Sequence, residues 1–225
     1  MKYRQSKDIA VIGLGRFGSA VVDELIKLGK QITLIDDSPE KLKLYEDDAQ
    51  RLIVGDAAET KLLRSIGIEK IETVIVAVPD NIEIIASLLE MNVKNIIARA
   101  TSRRHARVLR QIGVSVIIRP EQEAGTRAAL IASNQKFILY SNDLQELGNG
   151  FVLGTSEIKN PKIFNMTIKD LNLNSYGITI VLIKTNNTKI RPTGDTVLNP
   201  NDQVTVIGEI DNVTAAFEWF NNADE

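Results

Sequence analysis

One stretch constrains this chain more than any other: IAVIGLGRFGSAVVDELIKLGKQITLIDD, residues 9 to 37. An apolar run, Ile9 to Ile12, ends at Gly13-x-Gly15-x-x-Gly18. Val21, Leu25 and Leu28 follow at helical spacing, and a second apolar run, Ile32 to Ile35, delivers Asp36 at its carboxyl end. Strand, glycine loop, helix, strand and terminal acid, in that order, predict the opening βαβ unit of a nucleotide-binding parallel sheet. Gly13 makes the tight turn, Gly15 lets the backbone approach a phosphate, and Gly18 lets the helix lie close to the sheet. The first N–H groups of the helix, which have no partner within it, then face an anion.

Beyond Asp36 short apolar runs alternate with helical patterns. The runs are Leu52 to Val54, Thr73 to Val78, Asn95 to Arg99 and Val114 to Ile118; the helical patterns cover Leu42 to Asp47, Leu62 to Ile66, Ile82 to Met91 and His105 to Ile112. The expected fold class is therefore α/β, a Rossmann-like, doubly wound parallel sheet of about six strands. A further helix begins at Pro120, where proline suits the first turn and Glu121 and Glu123 suit the positive end. Its far end, around Asn134 to Asn142, leads into the polar stretch Gln145 to Gly150, where the alternation stops. The expected division is residues 1–142, with that helix over about 120–134, and a smaller α+β module over 143–225. In the second part Phe151 to Ile158, Ile178 to Lys184, Lys189 to Arg191 and Val204 to Ile207 read as strands, with a hairpin turn at Asn186-Asn187. Asp211 is expected to cap a last helix that gathers Val213, Phe217 and Phe220 on one face.

Composition narrows the function. With 225 residues and a formal net charge of −2, the chain has no overall electrostatic drive toward nucleic acid, which is excluded as a partner, or toward an anionic membrane. It has no cysteine, so disulfides, zinc thiolates and thiol nucleophiles are ruled out. The start, MKYRQSKD, lacks the apolar core of a secretory signal, and no apolar run reaches the ~20 residues of a membrane helix. The expectation is a soluble, cytoplasmic protein. The single histidine, His105, sits in Ser102-Arg103-Arg104-His105, a helix start rather than a catalytic cluster, and no metal-ligand spacing is present. Binding and switching fit these residues better than turnover does.

Within the expected site, Asp36 is placed to accept hydrogen bonds from a ribose and disfavours a 2′-phosphate; Asp37 is the alternative acceptor or a solvated turn residue. Gly55-Asp56-Ala57 and Val78-Pro79-Asp80-Asn81 follow later strands, either lining a base pocket or making ordinary turns. Arg16 is a cation at a helix N-terminus, which is unfavourable unless an anion is near, and its guanidinium suits a terminal phosphate; the alternative is a solvated surface arginine.

Gly13-Leu14-Gly15-Arg16-Phe17-Gly18, the Gly55-Asp56-Ala57 turn, Thr73 to Asn81, and Arg119-Pro120-Glu121 ahead of a helix resemble the RCK (regulator of potassium conductance) domain, a TrkA-N part followed by a TrkA-C part. Asp170-Leu171-Asn172 to Ile183 and Asn199-Pro200-Asn201-Asp202-Gln203 are similar to the family's C-terminal module. Within the family the resemblance is to the KtrA/KtrC type, the cytosolic gating subunits of Ktr potassium transporters, and it covers nearly the whole chain. It implies a non-enzymatic regulatory subunit that binds ATP or ADP. It also implies pairing through the crossover helix after Pro120 into a homodimer, assembly into a homo-octameric ring, and docking on a KtrB/TrkH-like membrane potassium-translocating subunit at the inner face of the membrane. Exchange of ATP for ADP would change the ring's shape and hence the gate.

Carried over, the resemblance implies cofactor contacts at Gly13, Gly15, Arg16, Phe17, Gly18, Asp36, Asp37, Gly55, Asp56, Ala57, Ala77, Asn81 and Arg99, with Arg16 and Arg99 reaching the terminal phosphate. Glu121 would lie near a divalent cation, Mg2+ or another, that accompanies ATP. Two departures matter. Trk-type relatives that favour NAD(H) usually lack the arginine in the motif, so Arg16 argues for ATP or ADP, although Asp36 suits all three. Ktr-type proteins that bind cyclic di-AMP carry an arginine just before the Tyr-Gly turn, whereas Leu173-Asn174-Ser175-Tyr176-Gly177 is shorter and has none, which argues for a plain turn into the next strand. The alternatives are an NAD(H)-binding redox sensor or a nicotinamide-dependent oxidoreductase, and for the latter no proton donor or acceptor is evident.

Overall fold

The computed structural model describes residues 8–133, 140, 143–185 and 188–222. The chain divides into two compact units between Glu123 and Ala124. The Asn186-Asn187 turn, the helix end expected around Asn134 to Asn142 apart from Tyr140, and the first seven residues lie outside the described residues.

In the first unit, strands β1 (Ile9–Ile12), β2 (Ile32–Asp36), β3 (Arg51–Val54), β4 (Thr73–Val76), β5 (Asn95–Arg99) and β6 (Val116–Ile118) form one parallel sheet in the order β3-β2-β1-β4-β5-β6. Helices α1 (Arg16–Lys27), α2 (Pro39–Lys43), α3 (Thr60–Ser65), α4 (Ile82–Glu90) and α5 (Arg103–Gln111) connect them, and α6 (Pro120–Ser133), which follows β6, begins in the first unit and continues into the second. The period of two in β1 sends its side chains to opposite faces. Ala10 and Ile12 join a core with Leu63, Ile85, Leu88 and Leu109, while Val11 joins Val22, Leu34 and Leu42. Both faces are thus covered by helices. The strand order reverses beside β1, which opens a crevice beyond the carboxyl ends of β1 and β4, where such sheets bind ligands.

The second unit holds an antiparallel five-stranded sheet in the order β10-β9-β11-β8-β7, made of β7 (Leu144–Gly148), β8 (Phe151–Glu157), β9 (Ile178–Thr185), β10 (Thr188–Ile190) and β11 (Gln203–Glu209). It carries the short helix α7 (Ile168–Leu171) and the closing helix α8 (Ile210–Asn221). The smaller α+β module expected from the sequence is therefore present. Its core gathers Val152, Ile183, Val204 and Val206 of the sheet with Val213, Phe217 and Phe220 of α8, and Phe217 meets Tyr140 edge-on with ring centroids 5.3 Å apart.

Several sequence expectations change in detail. The stretch Gln145 to Gly150 is not a break in structure but edge strand β7 and a tight turn, pairing Leu144 with Gly154 and Gln145 with Leu153. Only Leu144 of β7 is buried, so no apolar alternation announces the strand, while Asn149 and Gly150 both take positive φ, 55° and 82°, as a two-residue hairpin turn requires. The run Thr73 to Val78 ends as a strand at Val76, leaving Ala77 and Val78 to the loop. Helix α2 starts at Pro39 rather than Leu42, because Ser38 caps it and proline fits its first turn. Asp211 is not the cap of α8; Glu209 holds that position and Asp211 lies in the first turn, where its charge complements the helix dipole. Among the described residues no helix is long and apolar enough to cross a membrane.

Candidate functional site

The glycine loop is built by contacts that two of its glycines make necessary. Gly13 has φ +91°, donates its N–H to the Ile35 carbonyl at 2.8 Å, and lies so close to Val78 that a Cβ would meet Val78 Cγ1 at 2.4 Å. At Gly18 a Cβ would fall 1.8 Å from the Gly13 carbonyl oxygen, so α1 can leave the loop only with glycine there. Gly15 is different: a Cβ on it would meet nothing within 4 Å, so its backbone is open to an approaching group. Gly15 caps α1 without a side-chain hydrogen bond, and the first turn of α1 contains no acid. Those first N–H groups are served by neither device that usually satisfies them.

A cavity of about 260 Å³ opens beside this loop, lined by Gly13, Gly15, Asp36, Asp37, Lys41, Gly55, Asp56, Ala57, Ala77 and Arg99 among others. Asp36, at the end of β2, is buried and stitches the loop together. Its Oδ2 accepts the Leu14 N–H at 2.5 Å, and its Oδ1 accepts the Ser38 N–H at 2.9 Å and the Lys41 ammonium at 3.0 Å. Burial pushes the Asp36 carboxyl up, but the Leu14 and Ser38 N–H groups, Lys41 and Asp37 outweigh it and hold it below the ordinary carboxylate range. Asp56 turns its Oδ1 to the Ala58 N–H at 2.8 Å, the start of the turn into α3.

Arg99 ends β5 and reaches into the cavity lining. Its terminal nitrogen is ion-paired with the Glu121 carboxylate in the first turn of α6, while its Nε is buried and has no hydrogen-bond partner among the described residues. A buried, charged N–H donor without an acceptor is costly, and it marks where an acceptor would be gained.

Other expected residues lie outside the lining. Arg16 is exposed at the first residue of α1, Phe17 follows it half-buried, and Gly18 is committed to packing. Asn81 does not line the cavity: only 1% exposed, it turns its amide inward to the Val78 and Arg99 carbonyls, at 3.0 and 2.8 Å, since a buried amide needs partners. Glu121 is occupied by Arg99, and among the described residues no group of three or more His, Asp or Glu gathers to hold a metal ion. The sequence reading missed Lys41, which the Ser38-Pro39 helix start could have revealed, and the partnership of Asn81 with His105, which no local pattern announces.

The second unit has its own hollows. One, about 420 Å³, is lined mainly by apolar side chains such as Met166, Leu171 and Trp219, and its carboxylate, Asp170, is engaged by Thr167. Another, about 410 Å³, includes Ile178, Thr179 and Lys169, whose ammonium pairs with Asp195 at 2.7 Å. Leu173–Tyr176 forms one tight helical turn and Gly177, φ +69°, leads directly into β9.

A family model for the TrkA-N domain matches residues 9–120, and one for the TrkA-C domain matches residues 156–221. Over 209 residues the chain is 30% identical to Ktr system potassium uptake protein A of Bacillus subtilis (strain 168), covering 91% of this chain and 92% of that protein. Over 215 residues it is 31% identical to Ktr system potassium uptake protein C of the same organism, covering 92% and 95%. In fold it matches the GsuK RCK domain with a TM-score of 0.55 at 14% identity, covering 100% of this chain and 50% of that one. It matches the GsuK channel bound to NAD with a TM-score of 0.54 at 22% identity, covering 97% and 39%. This chain thus spans half or less of those two structures, and the likeness to them is one of fold.

Proposed function

The chain belongs to the family of the Ktr system potassium uptake proteins A and C, with a TrkA-N domain followed by a TrkA-C domain, and from that premise we propose that it is a regulatory subunit whose binding of ATP or ADP gates a membrane potassium transporter or channel. The observation that carries the nucleotide reading is that Arg99, whose buried Nε–H has no acceptor among the described residues, lines the same cavity as the open backbone of Gly15. A phosphate chain supplies acceptor oxygens for both, in competition with Glu121 for the guanidinium.

In this reading the first N–H groups of α1 take the inner phosphates, Asp36 faces the ribose, and Arg99 with Arg16 responds to the terminal phosphate. A ligand shifts a conformational equilibrium only through contacts that differ between states, and one phosphate read by one or two guanidinium groups supplies such a difference. Glu121 is the carboxylate that would meet a divalent cation brought with ATP, and the guanidinium it now holds would be released toward the nucleotide. Residues 1–142 then form the nucleotide-binding part, with the crossover helix over 120–134, and 143–225 the second. Two copies pair through the crossover helix, dimers assemble into an octameric ring, and the ring meets its potassium-translocating partner at the cytoplasmic face. We infer no turnover, because His105, the chain's single histidine, does not line the cavity and its ring nitrogens face Thr101 and Asn81.

A second reading, an NAD(H)-binding redox sensor, is favoured by Asp36 alone, since a carboxylate at the end of β2 suits the adenosine ribose of NAD(H) equally well. Thermal stabilisation of the purified protein by ATP, ADP, NADH and cyclic di-AMP in parallel, with Arg16→Ala alongside, separates the two. The proposal expects stabilisation by ATP and ADP, with the variant losing chiefly the ATP effect. Stabilisation by NADH alone, indifferent to Arg16→Ala, would overturn it.

A further inference from the structure

His105, the third residue of α5, belongs to a hydrogen-bond relay that ends at the candidate nucleotide cavity. Asn81, between β4 and α4, uses its side-chain NH2 for two carbonyls, those of Val78 and Arg99, which belong to residues lining the cavity. Its Oδ1 lies 3.1 Å from His105 Nε2. Across the ring, Nδ1 lies 3.4 Å from the Thr101 backbone N–H and 3.2 Å from Thr101 Oγ1. A backbone N–H can only donate, so Nδ1 is the acceptor, the proton of the neutral ring sits on Nε2, and that N–H donates to Asn81. Thr101 thereby fixes the tautomer, and the tautomer fixes which way the Asn81 amide faces.

We propose that His105 is a positioning residue for this cavity. By loading Asn81 Oδ1 it keeps the NH2 turned to the ends of β4 and β5, and so holds the backbone of Arg99, from which the guanidinium with its unpartnered Nε projects. With the imidazole removed, a buried amide oxygen loses its donor, and rotation of the amide to find water would give up the two carbonyls that join the loops. The effect passes through Asn81, so His105 itself touches no ligand. This inference rests on the nucleotide reading above.

The test measures ATP and ADP affinity of the full-length protein by titration for the wild type, His105→Leu and His105→Gln. A glutamine can still present a side-chain N–H toward Asn81; a leucine cannot. The expected result is that His105→Leu, still folded, loses roughly tenfold in ATP affinity and less for ADP, and that His105→Gln recovers most of it. A folded His105→Leu that binds both nucleotides like the wild type overturns the inference, as does an equal loss in both variants. Should His105→Leu fail to fold, His105→Asn, polar but too short to reach, takes its place with the same expectations. If the wild type binds neither nucleotide, the nucleotide reading itself falls and the inference with it, an outcome distinct from the other two.

Discussion

The guanidinium of Arg99, at the end of β5, is ion-paired with the carboxylate of Glu121 in the first turn of α6, so one side chain joins the cavity lining to the start of the helix that follows the sheet. Arg99 is largely buried, whereas the Glu121 side chain is 62% exposed. The backbone N–H of Glu121 itself and then the Arg99 guanidinium hold the Glu121 carboxyl below its usual range. The carboxylate side of the pair is exposed and glutamine keeps an acceptor oxygen for Arg99, so Glu121→Gln is expected to lower Tm only slightly. The same change removes a negative charge that competes for Arg99. ATP titrated in EDTA should therefore bind severalfold more tightly to the variant, and the gain in affinity on adding Mg2+ should shrink. An unchanged Mg2+ dependence would remove Glu121 from the site.

Asp36 offers a test that needs no ligand. Its folded pKa is depressed, so its stabilisation is fully present above the unfolded value, about 3.9, and is lost as pH falls through the folded one. Asp36→Asn should cost about 1.5–3 kcal/mol at neutral pH, the size of buried hydrogen bonds to a charged group. Urea midpoints of the two proteins should differ by a constant amount from pH 7 to 5 and converge below about pH 4. A difference that widens in acid would contradict the geometry of the Leu14, Ser38 and Lys41 contacts.

The glycines divide into packing and approach. Gly18→Ala places a Cβ against the Gly13 carbonyl oxygen and near Ala77, and is expected to destabilise by about 2–4 kcal/mol. Gly15→Ala meets no protein atom and has an ordinary φ of −75°, so stability should stay within about 0.5 kcal/mol of wild type. Its nucleotide affinity should nevertheless fall at least tenfold, because the methyl group occupies the open side of the loop. Chemical denaturation and nucleotide titration of both variants read the contrast directly.

How much of this was legible in the sequence depends on whether a residue's role is periodic. The βαβ opening was readable because apolar spacing, the glycine triplet and Asp36 follow one another within 29 residues, 9 to 37. Edge strand β7 was not, since a strand with one buried residue carries no alternation. Lys41 is not legible from apolar spacing, because the start of α2 is set by the Ser38-Pro39 cap and not by its apolar residues. Asn81 and His105, 24 positions apart, meet only once β4 and β5 lie side by side, and polar pairs between loops have no period to read.

The second unit should respond by itself. Phe217, 1% exposed, packs edge-on against Tyr140, and a Cβ on Gly154 would come within 2.6 Å of its ring, so the site is filled to contact. Phe217→Ala is expected to cost about 3–5 kcal/mol. Because this core is separate from that of the first unit, calorimetry of the variant should show an early transition, with the later one still raised by ATP. A single transition that ATP no longer shifts would mean the two cores unfold together.

Arg16 yields a prediction in which stability and binding move in opposite directions. It is the first residue of α1, exposed, in a first turn that has no acid and no side-chain cap. A cation there opposes the helix dipole, so in the absence of nucleotide Arg16→Ala should be slightly more stable than wild type, by about 0.3–1 kcal/mol. If the guanidinium reads a terminal phosphate, the same variant should lose most of the difference between ATP and ADP affinity while keeping ADP binding, since the inner phosphates rest on backbone N–H groups. Urea denaturation without ligand and parallel ATP and ADP titrations measure the two halves. A variant that still separates ATP from ADP as the wild type does would make Arg16 a solvated surface residue and leave the terminal phosphate to Arg99 alone, and one that is less stable without ligand would contradict the dipole argument.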